Sequence, residues 1–500
     1  MVKQTLLRSI TAGLLTVIAW FLSSSLDAIA PESPAAVVTQ PGTSRPPNFL
    51  VIFTDDQGYG DLGSYGHPTI RTPNIDRLAA EGQRWTSFYA APVCTPSRAQ
   101  LMTGRLAVRT GLTGGVIHPP GTGGLQPEEI TIPEVLAARG YVSGMVGKWH
   151  LGHQPQFLPT RQGFSSYFGI PYSNDMDMIP ADKVPGGRFG GYMNAKVEYF
   201  QVPLMRNEKI IERPADQTTI TRRYTDEAIA FMRANRERPF FMYVAHNMPH
   251  VPLFVSEAFK GKSQRGLYGD VIEEIDANVG RLVDALRQLK LDRNTVVVFL
   301  SDNGHWAPYR EQGGSAGLLR GAKGSNWEGG VRVPAIFWGP GLVKPGVIMG
   351  IGSQLDLLQT FASLAGAQAP TDRPLDGYDL SRTLREGAPS PRDTVFYYGA
   401  QLVAVRKDSY KLHLQIPQQG GRGAAAQQPT GAGASATTPQ IALYDLDTDP
   451  SEQFDLAAER SEVVAELTRI ADEHRKAVVP GPDQLRLGLG RGSGPGRGGR

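Results

Sequence analysis

One segment of the chain reads Phe49-Leu50-Val51-Ile52-Phe53-Thr54-Asp55-Asp56-Gln57-Gly58, an apolar run that leads directly into two carboxylates. Residues 49–54 have the length and content of a strand buried on both faces of a parallel sheet. The abrupt change to polar residues places Asp55 and Asp56 just beyond the carboxyl end of that strand. Ligands of open α/β sheets bind beyond this end. The segment therefore predicts both a class of fold and the edge of the sheet that carries chemistry.

Three more apolar runs are each followed at once by polar residues. They are residues 141–146, ending in Gly147-Lys148-Trp149-His150; residues 240–245, leading to His246 and His250; and residues 295–301, ending in Asp302-Asn303-Gly304. Amphipathic helical patterns lie between the runs, at residues 74–82 and 268–289. This alternation predicts an α/β fold with a large, mainly parallel sheet sandwiched by helices. All four polar clusters would then lie at one edge of the sheet.

Two of these clusters, Asp55-Asp56 and Asp302-Asn303, are rich in oxygen ligands. Adjacent carboxylates in a confined site repel each other unless a cation neutralises them. Carboxylate and amide oxygens favour a hard ion, Ca²⁺ or Mg²⁺. The alternative is that these residues only mark turns.

Cys94 is the single cysteine of the 500-residue chain, so it cannot form an internal disulfide. It stands in the run Cys94-Thr95-Pro96-Ser97-Arg98, before a helix that we predict at residues 97–103 with Ser97 as N-cap and Gly104 as stop. A helix start favours an anion, and Arg98 can orient the side chain at position 94. The alternative is a small buried hydrophobic residue.

These motifs resemble those of the sulfatase family, in the alkaline phosphatase superfamily, over residues 48–485. The resemblance includes the segments already quoted and three others, Thr103-Gly104-Arg105, Glu328-Gly329-Gly330-Val331-Arg332-Val333-Pro334 and Leu443-Tyr444-Asp445-Leu446. Within the family, Ser263-Gln264-Arg265-Gly266 and Tyr268-Gly269-Asp270 look most like arylsulfatase A and N-acetylgalactosamine-6-sulfatase. The resemblance implies an alkaline phosphatase-like fold and the hydrolysis of a sulfuric ester.

The resemblance also implies a cofactor and a modification. Formylglycine made from Cys94 would join Asp55, Asp56, Asp302 and Asn303 in binding one Ca²⁺, with Mg²⁺ the less favoured ion. One hydroxyl of the hydrated aldehyde would attack sulfur, and the second would later expel sulfate, which an ordinary serine ester cannot do. A formylglycine-generating enzyme would therefore be a partner during maturation.

The remaining polar residues at the strand ends would act on the ester. Lys148, His250 and Lys323 would hold the sulfuryl oxygens, with His250 or Lys323 near the leaving oxygen. By the same resemblance, His150 would help to deprotonate the second hydroxyl. We leave open whether His153 and His246 line the pocket.

The resemblance implies a sulfated carbohydrate or an aryl sulfate as the substrate, and we expect residues 114–124 and 172–177 to line the entrance. Two alternatives stay open. The first is a phosphate or phosphonate ester hydrolase of the same superfamily, since the two tetrahedral groups differ mainly in charge. The second is a non-catalytic protein that binds sulfated glycans, which would be favoured if Cys94 stayed a thiol. The net charge of +3 gives no argument for a nucleic-acid partner.

We expect five segments along the chain. Residues 1–30 have the layout of a signal peptide, because Lys3 and Arg8 precede an apolar run and Ala28-Ile29-Ala30 offers a cleavage site. They predict a periplasmic or secreted protein with no stable membrane partner, although an uncleaved anchor stays open. Residues 31–47 would be a flexible linker, 48–384 the catalytic domain, and 385–485 a C-terminal α+β domain with an antiparallel sheet. Residues 417–439 form a low-complexity insertion, and 486–500 a disordered Gly/Arg tail.

Overall fold

The computed structural model describes residues 45–416 and 440–489. These residues belong to one compact unit that begins at Arg45. The predicted signal peptide, nearly all of the predicted linker, the insertion at 417–439 and residues 490–500 of the predicted tail lie outside the described residues. Within the part of the chain that is described, no helix has both the length and the apolar character needed to cross a membrane.

The described residues form fourteen strands and ten α-helices. The strands are β1 (Asn48–Thr54), β2 (Gln83–Tyr89), β3 (Val142–Gly147), β4 (Ser166–Gly169), β5 (Leu204–Arg206), β6 (Lys209–Glu212), β7 (Phe240–Ala245), β8 (Thr295–Ser301), β9 (Arg332–Trp338), β10 (Gly346–Ser353), β11 (Thr394–Tyr398), β12 (Leu402–Lys407), β13 (Tyr410–His413) and β14 (Ala442–Asp445). The helices are α1 (Pro73–Glu81), α2 (Cys94–Thr103), α3 (Ile132–Ala137), α4 (Gly187–Met193), α5 (Ile220–Ala234), α6 (Leu267–Gln288), α7 (Glu328–Val331), α8 (Asp356–Ala365), α9 (Ser381–Glu386) and α10 (Ser461–Ala477).

Ten strands make one large sheet in the order β10-β2-β9-β8-β1-β7-β3-β4-β5-β6. Its middle strands, β8, β1, β7, β3 and β4, are parallel to one another. The antiparallel pairs are β2–β9, β9–β8, β4–β5 and β5–β6, so only β9 and β5 run against the direction of the other strands. The four strands predicted from apolar runs are β1, β3, β7 and β8, and they lie side by side. The prediction of a mainly parallel sheet is confirmed.

These four strands end level with one another. Thr54 pairs with Ser301, while Ala245 pairs with both Phe53 and Gly147. The polar residues that follow the strands therefore emerge at one place on the sheet edge.

Successive residues of β1 face opposite sides of the sheet. Leu50 and Ile52 pack into a core that includes residues of α1, α5 and α6, whereas Val51 and Phe53 pack into a core with residues of α2, α3 and α8. All four side chains are fully buried. A strand covered on both faces must be apolar throughout, which is why its sequence does not alternate. The predicted sandwich of helices is confirmed.

A second sheet is antiparallel, with the order β11-β12-β13-β14. Helix α10 packs on it through Leu467 and Ala471, which share a core with Val405 and Leu412. The predicted smaller antiparallel sheet is therefore present, while the domain boundary at residue 384 stays a prediction.

Helix α2 corrects one local prediction. It begins at Cys94, three residues before the expected start, and Val93 rather than Ser97 is its N-cap. Pro96 is tolerated there because the N–H groups of a first turn have no helical partners. The Ser97 hydroxyl instead contacts the backbone oxygen of Asp302. The predicted stop is correct, since Gly104 ends the helix with a φ of 65°.

Candidate active site

Buried charged residues follow strands β1, β3 and β8 and lie close to one another. Asp55, Lys148 and Asp302 follow these strands, and each has an exposed fraction of 0%. Lys148 Nζ donates to Asp55 Oδ2 at 2.6 Å. Arg98 reaches the cluster from α2 and donates to Asp302 Oδ2 at 2.8 Å. The strand ends and the helix therefore build one charged cluster.

A second part of the cluster surrounds Asp56. Lys323 Nζ lies 2.7 Å from Asp56 Oδ1, and its side chain is only 9% exposed. Asn303 Nδ2 donates to the same carboxylate oxygen at 2.8 Å. The other amide atom, Asn303 Oδ1, is buried and has no hydrogen-bond partner among the described residues. One acceptor oxygen at the centre is thus left without a donor.

The charges of the cluster balance in pairs. The pairs are Asp55–Lys148, Asp56–Lys323 and Asp302–Arg98. Burial nevertheless raises the pKa of Asp56 and of Asp302, and a neighbouring carboxylate raises each pKa further. A bound cation would relieve that repulsion and favour the ionised forms.

Cys94 begins α2 inside the cluster, with an exposed fraction of 1%. Its Sγ lies 3.4 Å from Asp55 Oδ1 and 3.5 Å from Lys148 Nζ. Burial, with repulsion from Asp302 and Asp55, raises the pKa of the thiol well above its ordinary value. Because the thiolate is the nucleophile, an unmodified Cys94 is a poor one.

Two predicted histidines border the cluster. His250 Nε2 lies 3.5 Å from Asp56 Oδ2, and its Nδ1 contacts the backbone oxygen of Val251. His150 Nε2 lies 3.0 Å from the backbone oxygen of Ile117. Burial lowers the pKa of both imidazoles well below the ordinary value, and nearby lysines lower it further. Both rings therefore favour the neutral form.

The two histidines left open by the sequence lie in different surroundings. His246 is fully buried, neither ring nitrogen has a hydrogen-bond partner in the described parts of the chain, and burial lowers its pKa to about 4. His153 packs edge-on against Tyr172, with ring centroids 5.6 Å apart. No contact joins either ring to the charged cluster among the hydrogen bonds and ion pairs of the described residues.

Four side chains of the cluster could hold a metal ion. Asp55, Asp56, Cys94 and His250 each place a ligand atom within 4.8 Å of the others. Asp302 adjoins the group, since its Oδ1 accepts the N–H of Asp56 at 3.1 Å. The five predicted metal ligands thus lie close together, and the His250 ring offers a further possible ligand atom beside them. The five are Asp55, Asp56, Cys94, Asp302 and Asn303.

Sequence reasoning missed Ser173 as an individual residue. Its Oγ lies 3.1 Å from Lys148 Nζ, and its exposed fraction is 2%. Ser173 follows β4, the parallel strand beside β3. The strand-end rule would have found it if the short run at residues 166–169 had been read as a strand. The segments expected at the entrance do reach the cluster, through Ser173 and through Ile117.

The chain is similar to known proteins along nearly all of its length. Residues 47–367 match the family model described as Sulfatase, and residues 390–490 match the model of the C-terminal region of aryl-sulfatase. Arylsulfatase A of Homo sapiens is 41% identical over 471 residues, which cover 89% of this chain and 91% of that protein. N-acetylgalactosamine-6-sulfatase of Sus scrofa is 39% identical over 475 residues, covering 89% of both proteins.

Solved structures have the same fold. The crystal structure of Ps i-CgsB in complex with k-i-k-neocarrahexaose superposes with a TM-score of 0.71 at 29% identity. The match covers 86% of this chain and 93% of that one.

Proposed function

The chain belongs to the sulfatase family, whose members are sulfuric ester hydrolases, and we propose that its active centre combines a formylglycine made from Cys94 with one bound Ca²⁺. The family predicted from the motifs is confirmed, and hydrolysis of a sulfate ester follows from it. The observation that carries the proposal is the position of Cys94, buried between a carboxylate and a lysine at the meeting point of four strands.

The donor set fits a hard cation. Asp55, Asp56 and Asp302 supply carboxylate oxygens, and Asn303 Oδ1 is a buried acceptor that lacks a donor in the described structure. Ca²⁺ prefers such oxygen ligands, and Mg²⁺ is the less favoured ion because it demands a stricter geometry. The ion would add positive charge to a cluster whose own charges cancel, which suits an anionic ester. When bound, it would neutralise the carboxylates and polarise oxygen atoms at the site.

A formylglycine at position 94 would supply two hydroxyl groups on one carbon, which neither cysteine nor serine has. Lys148 would position that group, and Ser173 would orient Lys148, because Lys148 Nζ contacts both Cys94 and Ser173. Arg98 holds Asp302 from the same helix that carries Cys94. His150 would take a proton from the second hydroxyl, a role supported by its buried Nδ1, which has no partner in the described residues.

Two cations, one of them Lys148, and one imidazole would act on the ester. Lys148 and Lys323 would hold the sulfuryl oxygens, where negative charge lies in the transition state. His250 uses Nδ1 on the backbone oxygen of Val251, so the neutral ring carries its proton there and leaves Nε2 bare. Lys323, whose pKa is raised despite burial because Asp56 lies beside it, keeps its protons. We therefore assign the hydrogen bond to the leaving oxygen to Lys323, with His250 as an acceptor beside it.

The substrate we propose is a sulfated carbohydrate, with small aryl sulfates also cleaved. Two of the similar proteins support a sugar, since one is named for N-acetylgalactosamine and one was solved with a neocarrahexaose. An aryl sulfate has a good leaving group and needs little recognition beyond the sulfuryl site.

Maturation and location are part of the proposal. A formylglycine-generating enzyme would convert Cys94, which lies in Cys94-Thr95-Pro96-Ser97-Arg98. The pattern of residues 1–30 supports export to the periplasm or the medium.

The direct test compares sulfate release from 4-nitrophenyl sulfate with phosphate release from 4-nitrophenyl phosphate. We expect the sulfate ester to be the better substrate, and Cys94→Ala to lose at least about a thousandfold in kcat. Faster cleavage of the phosphate ester would favour the phosphatase alternative. Binding of a sulfated glycan without cleavage of any ester would favour the non-catalytic alternative.

A further inference from the structure

A row of aromatic side chains leads away from the reacting groups. The Trp306 ring lies 5.1 Å from the His250 ring, and Lys323 Nζ lies 4.4 Å from the Trp306 ring centre. Tyr309 follows at 4.8 Å from Trp306, and Phe189 at 5.8 Å from Tyr309. Trp306 and Tyr309 are half-buried, whereas Phe189 is 47% exposed. This aromatic row, Trp306, Tyr309 and Phe189, therefore runs from the predicted leaving-group side of the site to solvent.

Polar groups flank the aromatic row. Tyr192 packs on Tyr309, and its hydroxyl donates to Asp175 Oδ2 at 2.8 Å. The second oxygen, Asp175 Oδ1, is buried and accepts no hydrogen bond from the described residues. Arg188 donates to the Tyr192 hydroxyl at 2.9 Å, and its side chain is 68% exposed. The row thus carries an acceptor that lacks a donor and a guanidinium that faces water.

We propose that the aromatic row is a subsite for the sugar units of an anionic, sulfated oligosaccharide. The inference rests on the proposed function, because it places the scissile sulfate at Lys323 and His250. The apolar faces of sugar rings stack on aromatic rings, while their hydroxyls require polar partners. The Phe189 ring stacks on Tyr309, so the exposed part of Phe189, 47% of the residue, is the apolar surface that a sugar ring would contact.

The positive charge of Arg188 would favour an anionic ligand on the aromatic row. A guanidinium binds sulfate and carboxylate groups through paired hydrogen bonds. Arg188 lies 4.0 Å from Asp175 Oδ2, yet 68% of its side chain is exposed. A second anionic group of an oligosaccharide would contact this exposed part, whereas an aryl or steroid leaving group would contact the aromatic rings alone. The structure therefore favours an oligosaccharide with more than one anionic group.

The test measures binding separately from turnover. Full-length Cys94→Ala, which cannot release sulfate by the proposed route, is titrated with two probes, a chondroitin 6-sulfate tetrasaccharide and a κ-carrageenan tetrasaccharide. We expect at least one probe to bind more tightly than 4-nitrophenyl sulfate. Phe189→Ala and Arg188→Gln, each added to this background, should weaken its binding by about fivefold to tenfold.

Matched controls are Phe454→Ala and Arg382→Gln, which alter side chains exposed by 69% and 78% elsewhere on the surface. These variants should change the dissociation constants by less than about twofold. The inference is overturned if neither probe binds more tightly than the aryl sulfate, or if Phe189→Ala and Arg188→Gln behave as the controls do. If the wild-type protein released no sulfate, that result would instead count against the proposed function. Binding of the probes to Cys94→Ala is measured without turnover and does not depend on sulfate release.

Discussion

Two residues of the site adopt a backbone conformation that few non-glycine residues adopt. Asp56 has a φ of 61° and His150 a φ of 58°. Such a conformation persists where the surroundings hold it in place. The N–H of Asp56 donates to Asp302 Oδ1, and the N–H of His150 donates to the backbone oxygen of Pro171. Contacts with other segments of the chain therefore fix the backbone conformation, and with it the orientation, of these two residues. The conformational preference of each residue type does not predict it.

The pair Arg98–Asp302 is buried, with exposed fractions of 1% and 0% for the side chains. Arg98→Ala leaves the carboxylate of Asp302 without its 2.8 Å partner, so we expect the free energy of unfolding to fall by about 3–5 kcal/mol. Urea unfolding measures this. Arg382→Ala is the control, because Arg382 is 78% exposed and its ion pair should contribute less than about 1 kcal/mol. Equal losses in the two variants would contradict a buried pair at Arg98.

Asn303 tests the metal proposal at the level of one atom. Removal of Ca²⁺ with a chelator should abolish sulfate release, and Ca²⁺ should restore it better than Mg²⁺. Asn303→Ala should raise the Ca²⁺ concentration for half-maximal activity at least about tenfold. Asn326→Ala is a matched control, because Asn326 Oδ1 is also buried without a partner in the described chain but lies outside the charged cluster. If the wild type, Asn303→Ala and Asn326→Ala all required the same Ca²⁺ concentration, Asn303 would not be a Ca²⁺ ligand.

At the scale of elements, the sequence predicted the strands better than the helix start. Apolar runs at β1, β3, β7 and β8 are long and end abruptly, so both their type and their shared edge could be read. The start of α2 could not, because Ser97 is a good N-cap by residue type and its partner, Asp302, belongs to a distant strand end. Ser173 escaped notice because β4 has only four residues.

A buried ion network joins helix α7, which precedes β9 of the large sheet, to β13 of the small sheet. Lys411 Nζ lies 2.9 Å from Glu328 Oε1 and 3.0 Å from Glu452 Oε1. All three side chains have exposed fractions of 0%. Burial alone would raise the pKa of Glu328, but Lys411 and nearby arginines lower it to about 2. Lys411 of β13 is thus paired with carboxylates from α7 and from the loop after β14.

This network predicts a loss of stability in acid. Because the pKa of Glu328 is lowered in the fold, its contribution is present above the unfolded pKa of about 4.5 and declines as the pH falls towards 2. The free energy of unfolding of the wild type should drop by roughly 2 kcal/mol from this group between about pH 5 and about pH 3. Glu328→Gln should be less stable at pH 7 and lack this part of the drop.

Urea unfolding of the wild type and of Glu328→Gln over that pH range measures this difference, and Glu386→Gln is the control because Glu386 is exposed. A pH profile of Glu328→Gln that runs parallel to that of the wild type would show that Glu328 is not held ionised by Lys411.

For the whole molecule, the burial of Cys94 predicts when the proposed conversion to formylglycine takes place. The chain contains one cysteine, with an exposed fraction of 1% in the fold. A modifying enzyme must reach the thiol, so we expect conversion only before folding is complete. Incubation of native and urea-unfolded protein with a formylglycine-generating enzyme, followed by peptide mass analysis, tests this. Conversion of the native protein at the rate of the unfolded one would contradict it.

The aromatic row shows what the sequence could not predict at this scale. Phe189 lies on α4, and Trp306 and Tyr309 follow β8, so more than a hundred positions separate them in the chain. No local periodicity connects such residues, and only the folded chain brings their rings together. The charged cluster was predictable because the carboxyl ends of parallel strands share one edge, whereas the surface that surrounds it depends on loops.

Formylglycine at position 94 is proposed to carry the sulfatase reaction. The most direct test measures the mass of the tryptic peptide of residues 85–98 in several preparations, together with their sulfate release from 4-nitrophenyl sulfate. Formylglycine lowers the mass of this peptide by about 18 daltons relative to cysteine. We predict that kcat per enzyme molecule rises in proportion to the fraction of modified peptide and is zero when that fraction is zero. Full activity in protein whose Cys94 is entirely a thiol would contradict the account.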